Sequence, residues 1–508
     1  MPKINWLFPV WLLTIGVLIY SRFVNLGWGL PYGFHPDERN MAIAIQQLNW
    51  QEKFNPHFFA YGQFPLYLGY VISLLTKFGA TLSLRVISAI ASVLTFFVIF
   101  KTIMVYEKKI PFPEKILIAL VVIFSPYAIQ FAHFGTTESL LMLFYSLIIY
   151  YSLKRNIFFL AICAGLAMAT KVSSAIFLVL PIIIILKSSL QKKITLVGAT
   201  VIFFVLFSPH NFFNWQDFFG SMAYESDVAL GKMIVFYTGQ FVDSIPILFQ
   251  FEKIFPYTLG FFQLVLFLLG FVFLSWKDKK INLLRLAFLI YFIPNAFIFA
   301  KWTRFMAPVF PVMTVFSILF AHRVILSGSL DPAKRKLRFT GSLVVALLLL
   351  GVTGATIWPG IKYLSVYQKP DTRIAASDWI YKNIPENSYI LSETANVVDI
   401  PVGGDKNYQV ISFNFYELDN DPTLQVELKN HLAEANYIFV PSRRIFANHP
   451  KDKYPILNKY YEDLNSGSLG FKKVAEFSTG LKDEGAEETW TVFDHPKIRI
   501  YKRINEGI

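Results

Sequence analysis

The chain has 508 residues, of which 55% are hydrophobic, 17% aromatic and only 16% charged. Soluble domains are about one quarter charged, so a chain this long with so few charges lacks the polar surface to cover itself and belongs in a bilayer. The net charge of +13 would suit nucleic acid only if it formed a basic face on a folded domain, and here the cations stand in short clusters between apolar runs; the one cysteine, Cys163, rules out a disulfide scaffold and a multi-cysteine metal site.

Apolar runs long enough to cross roughly 30 Å of hydrocarbon occupy about residues 5 to 24, 85 to 105, 115 to 131, 138 to 153, 194 to 209, 254 to 275, 282 to 300, 305 to 321 and 339 to 357. The first has only Lys3 before it and no small-residue cleavage site, so it reads as a retained helix. The run at 157 to 187, broken by Lys171, Ser173 and Ser174, is too long for one crossing and reads as two short helices meeting at a polar turn. About eleven spans result. Alternate loops carry the cations: Lys101, Lys108, Lys109 and Lys115, then Lys154 and Arg155, then Lys187, Lys192 and Lys193, then Lys277, Lys279 and Lys280, then Arg323, Lys334, Arg335, Lys336 and Arg338. Positive loops resist translocation, so these share the inner side with the N-terminus, and the C-terminal tail emerges outside. The stretch 64 to 78 would break this alternation if it crossed, and it reads as an amphipathic helix lying in the interface.

From about residue 359 the composition becomes that of a soluble domain, which divides the chain into a transmembrane module, 1–358, and an extracytoplasmic α/β domain, 359–508. Short β-rich runs, YIL at 389, YIFV at 437 and TVF at 491, alternate with the helical stretches TRIAASDWIYKNI and PTLQVELKNHLAEA.

Four outer stretches carry groups that are costly beside a membrane unless used. GFHPDERN supplies His35, Asp37 and Glu38, and Asp37 is the candidate general base; its bland alternative is an acid in the first turn of a helix. HFGTTESLL supplies Thr137 and Glu138 at a helix start, where capping alone would also account for them. KWTRFMAPVFPV supplies Lys301 and Arg304, two cations that could hold a phosphate at headgroup level or merely snorkel to lipid; Arg85 and Lys171 are similar cations. The stretch SPHNFFNWQDFFGSMAYESDVALGK offers His210, Asn211, Trp215, Tyr224 and Glu225, suited to a sugar face or a phosphate, against an interfacial aromatic belt. His210 with scattered acids is a weak metal signal. No Walker A, GxSxG or HExxH motif is present, so ATP-driven transport, serine hydrolysis and zincin chemistry lack support.

Taken in order, HPDE, QFPLYLGY followed by LRVISAIAS, SPYAIQFAHFGTTESLL, GLAMATKVSS, KWTRFMAPVFPV and the ending TWTVFDHPKIRIYKR resemble the GT-C superfamily of membrane glycosyltransferases. Within it they are closest in kind to the protein O-mannosyltransferase-like group and its bacterial relatives, including the lipid A aminoarabinose transferases. The resemblance implies a polytopic α-helical GT-C fold and an inverting transfer of a sugar from a polyprenyl-phosphate donor to an acceptor lipid, glycan or protein at the outer face of the cell membrane. It implies Asp37 as base, Glu38 and Glu138 as acidic supports, and Arg85, Lys171, His210, Lys301 and Arg304 as donor-phosphate contacts. No cofactor is required on this reading, and a divalent metal is left open because some relatives bind one. The C-terminal part shows no repeated trefoil pattern such as the eukaryotic mannosyltransferases insert, so a protein acceptor is not implied. Two other classes stand beside this reading: a lipid-linked glycan flippase, which would carry ionisable residues mid-span in both halves where only Lys171 is evident, and a membrane-anchored assembly protein working through its outer domain.

Overall fold

The computed structural model describes residues 7–323, 343–394, 399–402 and 406–504. The chain packs as two compact units, one built from Met1–Leu26, Asp37–Ser226 and Pro246–Leu364, the other from Gly27–Pro36, Asp227–Ile245 and Ser365–Ile508. The second unit therefore starts six residues beyond the expected boundary at 359 and takes two further segments from earlier in the sequence.

The first unit is a helical bundle. Its longest described helix, Ala80–Tyr106, is buried along the side bearing Ser83, Ser88, Ala89, Ala91 and Ser92. Such small residues let neighbouring helices approach closely where water gives no hydrophobic drive. It packs against Glu138–Lys154, which in turn packs against Ile157–Thr170, and that against Leu190–Phe207. The last helix turns Leu190, Ile194, Val197, Ile202 and Leu206 outward, an apolar face that suits lipid rather than water.

Among the described residues four helices are long and apolar enough to cross a membrane, Ala80–Tyr106, Leu190–Phe207, Lys279–Phe297 and Thr303–Ala321, and up to six if each of two bent pairs is one span. Part of the difference from the eleven expected spans is local. Run 115 to 131 is two helices, Phe112–Ile123 and Pro126–His133, bent by 51°, and run 254 to 275 is Gln250–Thr258 and Phe261–Phe273, bent by 114°. Pro126 and the positive-φ Gly260 stand at these breaks, and neither residue suits a helix interior. Leu7–Phe23, Phe64–Thr76 and Ile157–Thr170 are shorter apolar helices. The stretch 157 to 187 is, as expected, interrupted at Lys171, where an α-helix gives way to the 3₁₀ segment Val172–Leu178. Lys334, Arg335, Lys336, Arg338 and the start of the 339 to 357 run lie outside the described residues.

The second unit is α/β. Its sheet has the order β2-β1-β3-β5-β4, from β1 (Tyr389–Glu393), β2 (Gln409–Phe413), β3 (Tyr437–Val440), β4 (Phe471–Phe477) and β5 (Ile498–Arg503). β1 runs parallel to both β2 and β3, and β5 antiparallel to β3 and β4. Period-two alternation divides the core between the two faces. Ile390, Tyr437 and Phe439 pack with Ile380 and Ile384 of the helix Thr372–Asn383 and its end, while Leu391 and Ile438 pack with Leu428, Leu457 and Leu464 on the other side. Asp371 and Asp421 cap the helices Thr372–Asn383 and Pro422–Glu434 by accepting from Arg373 N and Thr423 N. TVF at 491 is not a strand: Thr489–Val492 is a single helical turn, because the Glu487 carboxylate accepts from the Thr489 backbone N–H and hydroxyl and closes the turn. The strand that the ending does supply is β5, a few residues later.

Candidate active site

The helix Pro36–Gln47 begins with proline at its first position, followed by Asp37 and Glu38. Proline there gives up an N–H that no helix would use, and the two acids meet the positive helix end. Adjacent helical residues point about 100° apart, so the two carboxylates enter different surroundings. Glu38 turns into the bundle and is 1% exposed. Its two oxygens accept from Arg85 Nε and Nη2, each at 2.7 Å, and Oε1 also accepts from Gly135 N–H at 2.8 Å. Arg85, itself fully buried, spends Nη1 on the Leu26 carbonyl at 2.7 Å. Position 135 takes only glycine here, since a Cβ would lie 2.7 Å from Glu38 Oε1 and from Leu84 Cβ. Glu38, expected as an acidic support of the site, is a buried anchor, and Arg85, expected at the donor phosphate, has its planar fork matched to that carboxylate instead.

Asp37 faces the other way, remains 18% exposed at its side chain, and pairs with Arg304 Nη1. Arg304 arrives from the 3₁₀ segment Thr303–Val309, 267 positions along the chain. The same Nη1 donates to the Tyr61 hydroxyl at 3.4 Å, and the guanidinium stands 4.8 Å from the Trp302 ring. Lys171 completes the group: its ammonium lies 5.2 Å from the Tyr61 ring and 5.1 Å from the Phe305 ring. Both aromatic faces favour the cation and leave its three N–H donors for a further acceptor. The helix break at 170–172 is what puts this lysine there. The loop before it is held close by Gly62, whose N–H donates to Thr170 O at 2.9 Å and where a Cβ would sit 2.0 Å from Ala169 O. Partial desolvation raises the Glu225 carboxyl above its usual range while the charge of Lys171 pulls it back.

The remaining expected residues have their own partners. Both ring nitrogens of His210 are engaged, Nδ1 with Asn214 Oδ1 at 2.9 Å and Nε2 with Lys53 O at 3.0 Å, which makes it a fastener and corrects its assignment to the phosphate. Beside it Gln63, which the sequence reading passed over, accepts from His210 N–H and Tyr67 OH and donates to Asn211 Oδ1 at 3.1 Å. A polar residue just ahead of Pro65 was the signal available for it. Glu138 is buried at the start of its helix and accepts from the Thr137 hydroxyl at 3.3 Å. Lys301 is buried, donates to Phe299 O at 3.1 Å, and has its ammonium pulled down by burial. His35 belongs to the second unit, where its ring lies 4.4 Å from that of Phe493. Tyr61 is the other residue the sequence left unremarked. Among the described residues no three His, Cys, Asp or Glu side chains form a group that could hold a metal ion.

Comparison with known proteins agrees with this architecture. Residues 63–213 match the family model described as dolichyl-phosphate-mannose-protein mannosyltransferase. No curated protein matches the chain in sequence. Among solved structures, ArnT from Cupriavidus metallidurans bound to undecaprenyl phosphate superposes with a TM-score of 0.50 at 13% identity, covering 75% of this chain and 73% of that one. The archaeal oligosaccharyltransferase AglB from Archaeoglobus fulgidus, in complex with an inhibitory peptide and a dolichol-phosphate, gives 0.50 at 13% identity, covering 90% and 72%. The chain thus resembles the mannosyltransferase-like GT-C proteins in sequence over residues 63–213 and has the GT-C fold.

Proposed function

We propose that the protein is an inverting glycosyltransferase that moves a sugar from a polyprenyl-phosphate donor to an acceptor hydroxyl at the outer face of the cell membrane. The observation that carries this reading is the convergence of one half-open carboxylate, Asp37, with Arg304, Tyr61 and Lys171. The matched mannosyltransferase model and the lipid phosphates named with ArnT and AglB support the donor class, and the alternation of cationic loops supports the side.

The arrangement accounts for an order of events. While Arg304 pairs with Asp37, the guanidinium occupies the carboxylate oxygen that would receive a proton. A donor phosphate offers Arg304 two oxygens and draws its fork from Asp37, and Lys171 adds a second cation. Asp37 then takes the proton of the acceptor hydroxyl as that oxygen bonds to the anomeric carbon from the face opposite the phosphate. The bond from the anomeric carbon to the phosphate oxygen breaks, and its electron pair leaves with the polyprenyl phosphate, held by the two cations. Phosphate is already a good leaving group, so the charge it acquires needs cations more than an acid.

The test uses membranes containing the protein and a panel of radiolabelled polyprenyl-phosphate sugars, read for release of lipid phosphate. Asp37→Asn is expected to lower turnover by about 100-fold or more while undecaprenyl phosphate binding persists. Turnover equal to the parent's would remove Asp37 from the reaction.

A further inference from the structure

Sequence order places Gly27–Pro36 immediately before Asp37, yet these ten residues fold as part of the second unit. They are gripped there by side chains from the far end of the chain. Arg373, fully buried, lies with its guanidinium 3.6 Å from the centre of the Phe34 ring. That guanidinium is aimed by Asp371, which accepts from Nε at 2.9 Å and Nη2 at 2.6 Å, and by the Phe493 carbonyl, which accepts from Nη2 at 2.7 Å. Phe34 has one place to go: Gly29 takes φ +71°, and a Cβ there would lie 2.6 Å from the Phe34 ring. His35 packs its ring 4.4 Å from Phe493, and Trp28 lies 6.2 Å from the ring of Tyr367, whose hydroxyl donates to Asp494 at 2.7 Å. Asp494 is held in turn by His495, the imidazole that also meets Asp483. Every residue from Trp28 to His35 that carries an aromatic ring, Tyr32 included through its stack on Phe34 at 5.5 Å, is thereby tied to this assembly.

A second segment is treated the same way. In Asp227–Ile245, Gly239 passes so near the chain at 448 that a Cβ would sit 1.9 Å from Asn448 O. Next to it Gln240 donates to Glu487 at 2.8 Å and accepts from Glu488 N–H at 3.1 Å, while Phe236 packs 4.6 Å from Tyr416. This segment continues directly from the helix Trp215–Ala229, which carries Glu225.

We infer that the C-terminal unit is a positioning element for the reaction: by fixing Phe34 and His35 it sets the start of the helix Pro36–Gln47 and so the aim of Asp37, with Arg373 and Phe34 as positioning residues that touch no substrate. The inference takes Asp37's place in the reaction from the proposed function and adds what holds it. A cation over an aromatic face is directional, and proline at position 36 transmits a displacement of residue 35 into the first helical turn because its φ is fixed. Gly239 shows that the second crossing is built for close approach, and Gly29 that the turn in the first segment leaves room for the Phe34 ring.

The experiment uses the full-length protein in nanodiscs. Phe34→Leu keeps apolar bulk but removes the ring face, and Phe34→Tyr keeps the face. Hydrogen exchange read by mass spectrometry is expected to quicken about ten-fold over residues 36–47 in Phe34→Leu, with Phe34→Tyr like the parent and with β1 and β3 unchanged in both. With the donor the panel identifies, Phe34→Leu lowers kcat and leaves KM for that donor near the parent value, and Phe34→Tyr restores kcat. Parent-like exchange over 36–47 in Phe34→Leu overturns the inference, and so does equal quickening throughout the sheet, which would make the contact a general prop of the fold. If exchange over 36–47 quickens while turnover does not change, the positioning stands and it is the role of Asp37 that falls.

Discussion

Glu38 and Arg85 show how one buried ion pair takes two charged residues out of the chemistry. Desolvating both groups is costly, and the attraction offsets it only while both are present and hydrogen-bonded, as here with Gly135 N–H and Leu26 O completing the set. Arg85→Gln leaves the Glu38 carboxylate buried without its counter-charge and is expected to cost about 3–5 kcal/mol, seen as a large fall in Tm of the purified protein. Adding Glu38→Gln to that variant removes the orphaned charge and should recover much of the loss. No recovery in the double variant would show that the pair acts through something other than charge. A different carboxyl offers a pH test. Glu393, buried at the end of β1 with the Tyr461 hydroxyl donating to it at 2.6 Å, is pushed by burial from an ordinary 4.5 to about 8. Between those two values the folded chain keeps a proton that the unfolded chain has shed, so this group makes stability fall as pH rises through the window. Glu393→Gln can still accept from Tyr461 but has nothing to titrate. Its Tm advantage over the parent is expected to grow from pH 5 to pH 8, and an advantage equal at both values would assign the effect to packing. The residue scale is also where sequence reading succeeds and fails within one tetrapeptide. HPDE announces a loaded helix start, but only the turn of the helix decides that Asp37 is open and Glu38 is closed. Nothing near Arg85 in sequence tells that its fork is spent 47 positions away.

Among the elements, the break at Lys171 has the largest effect on the site. Thr170 ends one helix, and its carbonyl accepts from Gly62 instead of continuing the ladder, which brings Tyr61 beneath the lysine. Gly62→Ala drives a methyl into the Ala169 carbonyl carbon and oxygen, backbone atoms that have no rotamer to yield. The variant is expected to lose about 1–3 kcal/mol of stability and a clear part of its lipid-phosphate affinity, measured by undecaprenyl phosphate binding to the purified protein. Affinity equal to the parent's would mean that Tyr61 and Lys171 hold their places without this crossing. The break itself was legible, since a lysine and two serines interrupt an apolar run. The sharp bends at Ser125 and Gly260 were not, because hydropathy averages over a run and is blind to its direction. The same limit applies in the sheet. YIFV became β3, but TVF became a helical turn, because a carboxylate two residues before Thr489 caps the turn and the period of three apolar letters cannot announce that.

For the molecule as a whole, composition changes near residue 360, and the last and longest segment of the second unit begins at Ser365. Composition could not reveal that 27–36 and 227–245 fold with the second unit, because the contacts that recruit them span about 250 to 460 positions: Gln240 with Glu487 and His35 with Phe493. No local pattern encodes such pairings, and closing loops of this size is entropically unfavourable until the residues at both ends are present. Arg304 and Lys171, the two cations of the candidate site, were visible as charges in uncharged surroundings; which of the four cations Arg85, Lys171, Lys301 and Arg304 would meet was set by the bundle.

The three-segment origin of the second unit bears on biogenesis. A ribosome delivers Phe34 long before Arg373 and Gln240 long before Glu487, so two stretches of the early chain must wait, unclasped, until the last strand has been made. On the positioning inference, a nascent or prematurely stopped polypeptide holds every reactive side chain yet lacks the clasp that aims the base. Activity would then begin only once the second unit has folded, and chains stopped short of it would be idle rather than errant.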